Sequence, residues 1–324
     1  MRRGAQELAS AALELQGEFD FVVASDMLDL PAFLSLTRPR FTGLPILAYF
    51  HENQFTYPRL RGTKFNSWFG QINYLTACTA DLVAFNSAFH RNDFLGALRT
   101  LTSQPNNWLV ESQIDAIEAK SCVLPVGVDL AWLDDFRLER DPAAPPLILW
   151  NHRWEFDKAP ETFVRAIERL AEEGTPFRLA LCGDPGPNPY PGLLSLKDRF
   201  ADRIEHFGFA GSREEYARLL WRSNVVVSTA RHEFFGVGMV EALYCGCFPV
   251  VPARYNYPAL VPQSLHGRCL FHSEAELVDQ LRAALREPRT ELASLNESAA
   301  RFGWDRVIGS WDTALSVLAG RRPA

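Results

Sequence analysis

The chain has 324 residues, 47% of them hydrophobic and 22% charged, with a formal net charge of −6. That composition excludes disordered and collagen-like classes, and the length allows two hydrophobic cores. No apolar run approaches the ~20 residues that span a bilayer, and the negative balance gives no global support for nucleic-acid binding.

In chain order, Arg2 and Arg3 precede an interrupted alanine-rich stretch, 8–15, that reads as an amphipathic helix rather than a signal peptide. Short apolar runs at 19–24 (FDFVVA), 45–49 (PILAY), 82–85 (LVAF) and 122–124 read as buried strands. Amphipathic stretches at 68–79 and 88–98 separate them. The proline-dense segment 141–146 (DPAAPP) reads as a linker. Beyond it the alternation restarts with strands at 147–150, 177–182, 204–207, 224–230 and 248–251, and a helix at 159–173. Strands alternating with helices predict parallel sheets covered on both faces. The expected architecture is α/β: two Rossmann-like doubly wound domains facing a cleft. They cover 1–142 and 146–302, and a terminal helix over 303–324 returns to the first domain. An open α/β domain usually begins with a strand and a glycine-bearing loop, whereas this chain begins with a helix. The first domain is therefore expected to lack its opening strand. Of the six cysteines, Cys122, Cys182, Cys245 and Cys247 lie in apolar surroundings with no C-x-x-C motif. They read as reduced thiols of a cytoplasmic protein.

The chemistry concentrates at 232–247 (HEFFGVGMVEALYCGC), a strand–turn–helix–strand layout. Glu233 lies in the turn and Glu241 in the helix, with Gly236 and Gly238 where the helix begins. Free N–H groups and the positive end of the helix dipole favour an anion there. Carboxylates on either side of that anion suit hydroxyls flanking a phosphate, the layout of a sugar nucleotide. After the strand at 147–150 comes NHRWEFDK, whose Arg153 and Lys158 suit a diphosphate. The competing explanation is surface ion pairing with Glu155 or Asp157. The turn GDPGPNP at 183–189 is either the border of a nucleobase site or a plain turn. In the first domain, FHENQFTYP at 50–58 places His51, Glu52, Asn53 and Gln54 at a strand's carboxyl end. Asn86 and Ser87 hold the equivalent place one strand on, with Ser87 read as a helix N-cap. Arg38, Arg40, Arg59, Arg61 and Lys64 form either a local basic patch or a solvated charged face.

No P-loop, G-x-S-x-G elbow or H-E-x-x-H occurs, and Gly236-x-Gly238-x-x-Glu241 is a poor dinucleotide fingerprint. No D-x-D pair is present to chelate a diphosphate through a metal, so no metal or other cofactor is expected. Cys245-x-Cys247 has no partner pair and reads as helix-end packing.

EFFGVGMVE resembles the E-x7-E signature of retaining GT-B glycosyltransferases of family 4. RWEFDK matches that group's arginine–lysine spacing, GDPGPNP resembles its G-D-G-P turn, and 206–230 resembles its run before the signature. FHENQFTYP, NHRWEFDK and ARHEFFGVGMVEALYCGC are more closely similar to the tRNA-queuosine α-mannosyltransferases, over nearly the whole chain. The resemblance implies the following roles. Glu233 binds donor-sugar hydroxyls and Glu241 the ribose. Backbone N–H groups of Gly236, Val237 and Gly238 meet phosphate. Arg153 and Lys158 neutralise the departing diphosphate, and His51 lies against donor sugar and acceptor, with Glu52, Asn53 and Asn86 as acceptor-side candidates. The implied donor is GDP-mannose and the acceptor is the cyclopentene-diol of queuosine at a tRNA wobble position, with no membrane partner. Two alternatives stay open: a GT-B transferase for a lipid or polysaccharide acceptor, and a non-catalytic sugar-nucleotide-binding module.

Overall fold

A computed structural model of the chain describes residues 3–58, 67–104, 107–286 and 292–320. The backbone divides into two compact units, Met1–Val126 with Val307–Ala324, and Gly127–Arg306. The division falls before the proline-dense segment 141–146, which lies inside the second unit. Its carbonyls are fastened there: Arg178 donates from its backbone N–H to Pro146 O (2.8 Å) and from Nε to Pro145 O (2.9 Å). Prolines cannot donate, but their carbonyls still accept, and these two are tied to a strand.

In the first unit, β1 (Val22–Ser25), β2 (Ile46–Phe50), β3 (Leu82–Phe85) and β4 (Ser121–Val123) form a parallel sheet in that order. Every residue of β2 is buried, as expected for a strand covered on both faces. The pleat sorts its side chains. Ile46, Ala48 and Phe50 join Phe33, Phe85, Phe94 and Ile117 in one core, while Leu47 and Tyr49 join Ala84, Leu124 and Leu318 in another. Leu318 comes from the terminal helix Trp304–Ala319, whose Trp311 packs against Tyr49 (4.8 Å between ring centres) and donates to Pro125 O (3.0 Å). Ser87 caps the helix Ala88–Thr102, accepting from the His90 N–H at 3.1 Å. The basic-patch reading loses Arg40. Its guanidinium donates to the carbonyls of Leu13, Leu15 and Gly17 that close the first helix. Arg59, Arg61 and Lys64 lie outside the described residues.

The second unit is a six-stranded parallel sheet built from β5 (Leu147–Asn151), β6 (Arg178–Cys182), β7 (Ile204–Gly208), β8 (Val225–Val227), β9 (Phe248–Pro252) and β10 (Leu270–Phe271). The order is β10-β9-β8-β5-β6-β7. From β5 the chain steps outward through β6 and β7, then returns to β8 and proceeds the other way. The junction of β5 and β8 is therefore the topological switch point, where loops at strand carboxyl ends diverge and open a ligand crevice. Strand β10, two residues long, was not anticipated from periodicity; so short a run carries no pattern. No helix among the described residues is long and apolar enough to cross a membrane.

Candidate active site

The loop after β8 starts from buried anchors. Ser228 Oγ lies 2.6 Å from the Tyr257 hydroxyl, and the Asn256 amide donates to Phe235 O at 2.9 Å. Gly236 follows with φ +95°, a conformation L side chains rarely adopt, and a Cβ there would sit 3.2 Å from Leu260 Cδ1. The helix Val237–Tyr244 begins immediately after it, with no side chain capping its first N–H groups. Met239 and Val240 N–H both return to Gly236 O at 3.0 Å, leaving the earlier amides directed out of the helix start. Gly238 is required by close approach: the Asn151 amide, at the end of β5, donates to Gly238 O at 2.9 Å, and an added Cβ would lie 3.0 Å from that nitrogen. The two sides of the switch point are thus joined directly.

The loop after β5 brings Lys158 to Glu233. Lys158 Nζ stands 3.2 Å from Asp157 Oδ2 and 3.5 Å from Glu233 Oε2, and donates to His232 O at 3.3 Å. Asp157 is buried. Ala159, in the left-handed region at φ 45°, ends this turn and starts the helix Pro160–Glu172, while Thr229 Oγ1 donates to Lys158 O at 2.8 Å. Arg153 is exposed and pairs with Glu155 at 3.2 Å. Both ion pairs that competed with the phosphate reading therefore form. An exposed pair such as Arg153–Glu155 contributes little and exchanges readily. Lys158, mostly covered, is held by two carboxylates at the mouth of the helix start. Burial, then the charge of Lys158, pushes the His232 imidazole down to about 4 and that of His152 to about 3. Both rings are neutral at pH 7, so they add no cation beside Lys158.

A cavity of about 810 Å³ within the second unit is lined by Arg153, Val237 and Glu241, together with Asn151, Asp184, Tyr216, Phe209, Trp132, Arg213 and Asp129. Glu241 accepts the Tyr216 hydroxyl at 2.8 Å. Burial raises its carboxyl above the ordinary range, against the Tyr216 hydrogen bond and the positive charge of Arg213. Arg213 lies over the Trp132 ring at 4.3 Å and pairs with Asp129 at 3.3 Å. Phe209 is 76% exposed, unusual for phenylalanine, and stands at the cavity wall. In the turn at 183–189, Asp184 reaches the cavity, and Gly183 passes so close to β5 that a Cβ would meet His152 O at 1.8 Å.

In the first unit the FHENQ loop is largely self-bonded. Asn53 is fully buried, donating to Asp93 Oδ2 at 2.8 Å and accepting the Phe55 N–H at 3.0 Å. The buried Asn86 amide donates to His51 O at 3.1 Å, and its oxygen lies 3.0 Å from His90 Nδ1. Gln54 donates to Glu52 Oε2 at 3.0 Å. The amides of Asn53 and Asn86 thus hold the loop rather than face outward. His51 remains the outward-facing ring, backed by Asp26 at 3.3 Å. Asp26, Asn151, Trp132, Phe209, Arg213 and Tyr216 are not marked out by the sequence. Asn151 opens the NHRWEFDK run, which is a local signal for it. Tyr216, in the middle of the helix Arg213–Arg222, carries no local signal.

Two parallel α/β sheets, the second with an uncapped helix start between carboxylates at its switch point, have the architecture of GT-B glycosyltransferases. Comparison with known proteins agrees. A family model described as "tRNA-queuosine alpha-mannosyltransferase N-terminal" matches residues 1–128, and one described as "Glycosyl transferases group 1" matches 134–302. A Drosophila melanogaster protein named tRNA-queuosine alpha-mannosyltransferase is 30% identical over 298 residues, covering 89% of this chain and 77% of that protein. A Mycobacterium tuberculosis GDP-mannose-dependent alpha-(1-6)-phosphatidylinositol dimannoside mannosyltransferase is 26% identical over 273 residues, covering 81% of this chain and 64% of that protein. Among solved structures, sucrose-phosphate synthase from Thermosynechococcus elongatus superposes with a TM-score of 0.72 at 16% identity, covering 98% of this chain and 77% of that one. At that identity the likeness concerns the fold alone. The chain belongs to the tRNA-queuosine α-mannosyltransferase family and is a glycosyltransferase.

Proposed function

We propose that this protein transfers mannose from GDP-mannose, with retention and without a metal ion, to the cyclopentene-diol of queuosine in cytoplasmic tRNA. The observation that carries the donor half is the uncapped helix start at Gly236–Val237–Gly238, with Lys158 and Glu233 in contact on one side and Glu241 in the nucleotide-sized cavity on the other. In this reading the phosphates meet the helix N–H groups and displace part of the hold that Asp157 and Glu233 have on Lys158. Glu241, presented by Tyr216, takes the ribose hydroxyls, and the half-buried Trp132 and the exposed Phe209 flank the base. Glu233 takes hydroxyls of the sugar.

Breaking the bond between the anomeric carbon and the β-phosphate oxygen leaves the electron pair on that oxygen. In this reading Lys158, Arg153 and the helix start take up that charge. The acceptor hydroxyl oxygen bonds to the anomeric carbon and gives up its proton to the departing β-phosphate oxygen, and His51 assists as a hydrogen-bond donor to a substrate oxygen. The relatives' names and the family membership support mannose and queuosine; the chemistry of the site supports a sugar nucleotide. The decisive experiment incubates the purified chain with GDP-mannose and queuosine-containing tRNA, then weighs the nucleosides. A gain of one hexose on queuosine, undiminished by a chelator, is expected. Donor binding with no hexose on queuosine, or hexose on a lipid instead, overturns the acceptor assignment.

A further inference from the structure

Strand β1 delivers a carboxylate that the reaction scheme above leaves unused. Asp26, one residue past its end, is 2% exposed. Its backbone is pinned on both sides: the Asp26 N–H donates to Tyr49 O at 3.1 Å, and the Asn73 amide donates to Asp26 O at 2.9 Å. Oδ1 accepts the backbone N–H of His51 at 3.1 Å and lies 3.3 Å from ring Nδ1. Oδ2 is buried and has no hydrogen-bond partner among the described residues. No lysine or arginine pairs with this carboxylate among those residues; the ionisable group beside it is the His51 imidazole. Burying a carboxylate this way is costly without a positive or proton-donating partner. His51, by contrast, has a side chain 56% exposed. The Tyr49 ring meets it edge-on at 4.8 Å, and Asn86 holds its carbonyl at 3.1 Å. The ring is therefore fastened on its Nδ1 side and open on its Nε2 side.

We propose that Asp26 is the positioning residue of a carboxylate–imidazole dyad, keeping a hydrogen on Nδ1 of His51 and presenting Nε2 to a substrate oxygen. The proposal rests on the assignment of His51 to the transfer step. A carboxylate can only accept at Nδ1, so Nδ1 keeps its hydrogen in either charge state, one ring orientation is selected, and the protonated ring turns an Nε2–H donor to the substrate. The groups facing the ring agree in sign. Asp26 stands at the end of β1, Glu52 on the same loop, and the Tyr49 phenol on β2 is engaged with Leu124 O at 3.0 Å. Further out, His90 and Asp93 on the helix Ala88–Thr102 are tied to Asn86 and Asn53. The Asp26 hydrogen bond raises the His51 imidazole above its ordinary value; burial opposes this, and the charges of Asp26 and Glu52 add to it. Raised affinity for the proton keeps Nε2–H as a donor to higher pH than an isolated histidine would, and the donor is lost as pH rises through the raised value.

The test uses the full chain. NMR titration of His51 is compared between wild type and Asp26→Asn, and kcat, KM and their pH profiles are measured for Asp26→Asn, Asp26→Glu, His51→Gln and the Asp26→Asn/His51→Gln double variant. In Asp26→Asn the His51 titration is expected to move to lower pH, with kcat reduced roughly 10- to 100-fold. Donor KM is expected to be nearly unchanged and the alkaline limb of kcat to move to lower pH. Asp26→Glu should recover part of the rate, and the double variant should be no slower than His51→Gln. An unmoved titration and pH limb in Asp26→Asn, or losses that multiply in the double variant, would overturn the dyad. If His51→Gln turns over at the wild-type rate, the transfer role of His51 fails instead, and the NMR shift still reads the dyad by itself.

Discussion

Lys158 is held before any ligand arrives: two carboxylates, one of them buried, share its ammonium. That arrangement serves two ends, fixing the cation's position and keeping Asp157 paired. Lys158→Ala is accordingly expected to lower kcat by roughly 10²–10³-fold through loss of charge stabilisation. It should also lower the melting temperature, because Asp157 stays buried without its cation. Turnover per folded molecule, with folding followed by circular dichroism, separates the two effects; unchanged turnover would remove Lys158 from the donor site. The buried histidines give a pH prediction. In the folded chain His152 and His232 titrate at about 3 and 4, below the ordinary 6.5. Above pH ~6.5 both states hold these rings neutral; as pH falls below that, the unfolded chain binds protons that the native one refuses. The contribution of these two rings to stability should therefore be constant above neutrality and fall as pH drops from 6.5 towards 4 and 3. His232→Gln should flatten part of the decline in calorimetric melts. Residue types were legible in the sequence at this scale: Glu233, Glu241, Arg153 and Lys158 were all singled out. Glu155 and Asp157 were legible as candidate ion-pair partners, but the contacts of Lys158 with Glu233 and of Glu241 with Tyr216 were not. Nothing in the run NHRWEFDK says that Asp157 faces inward and Glu155 outward.

The loops that follow β5 and β8 form one device, joined by the hydrogen bond from Asn151 to Gly238. Glycine at 238 is a requirement of that approach, and glycine at 236 of the backbone turn into the helix. Gly238→Ala is expected to push the Asn151 amide away and to weaken donor binding about tenfold, at a stability cost of roughly 1–3 kcal/mol. Calorimetric titration with GDP checks the affinity, and an unchanged Kd would show that the helix start does not meet the phosphates. Strand and helix positions were readable because buried parallel strands are continuous apolar runs separated by amphipathic segments. The edges were less so. The proline-dense segment looked like a linker on composition, yet its carbonyls are captured by Arg178. The cluster of basic residues left a patch and a solvated charged face both open; Arg40 is spent on carbonyls at the end of the first helix.

Across the molecule, the chain leaves the first unit at Val126 and comes back to it at Val307. The last helix completes a core whose strands lie far earlier in the chain: Leu318 is 1% exposed against Leu47, Tyr49 and Ala84. Leu318→Ala is expected to destabilise the first unit by about 2–5 kcal/mol. The second unit, which contains none of that core, should be unaffected. Differential scanning calorimetry with and without GDP, which should protect the second unit selectively, identifies which transition moves; a shift in the second alone would contradict the assignment. The sequence by itself determined the class of fold, the order of its elements and the residues whose chemistry suits a sugar nucleotide, because periodicity and motif spacing are local properties of the chain. Only the tertiary structure decided which of those groups are held and by what. Asp26 behind His51, Tyr216 on Glu241 and Asn151 on Gly238 are partners 25 to 87 positions apart. What unites them is strand order and the direction of each side chain from its element, and neither is written in any short stretch of sequence.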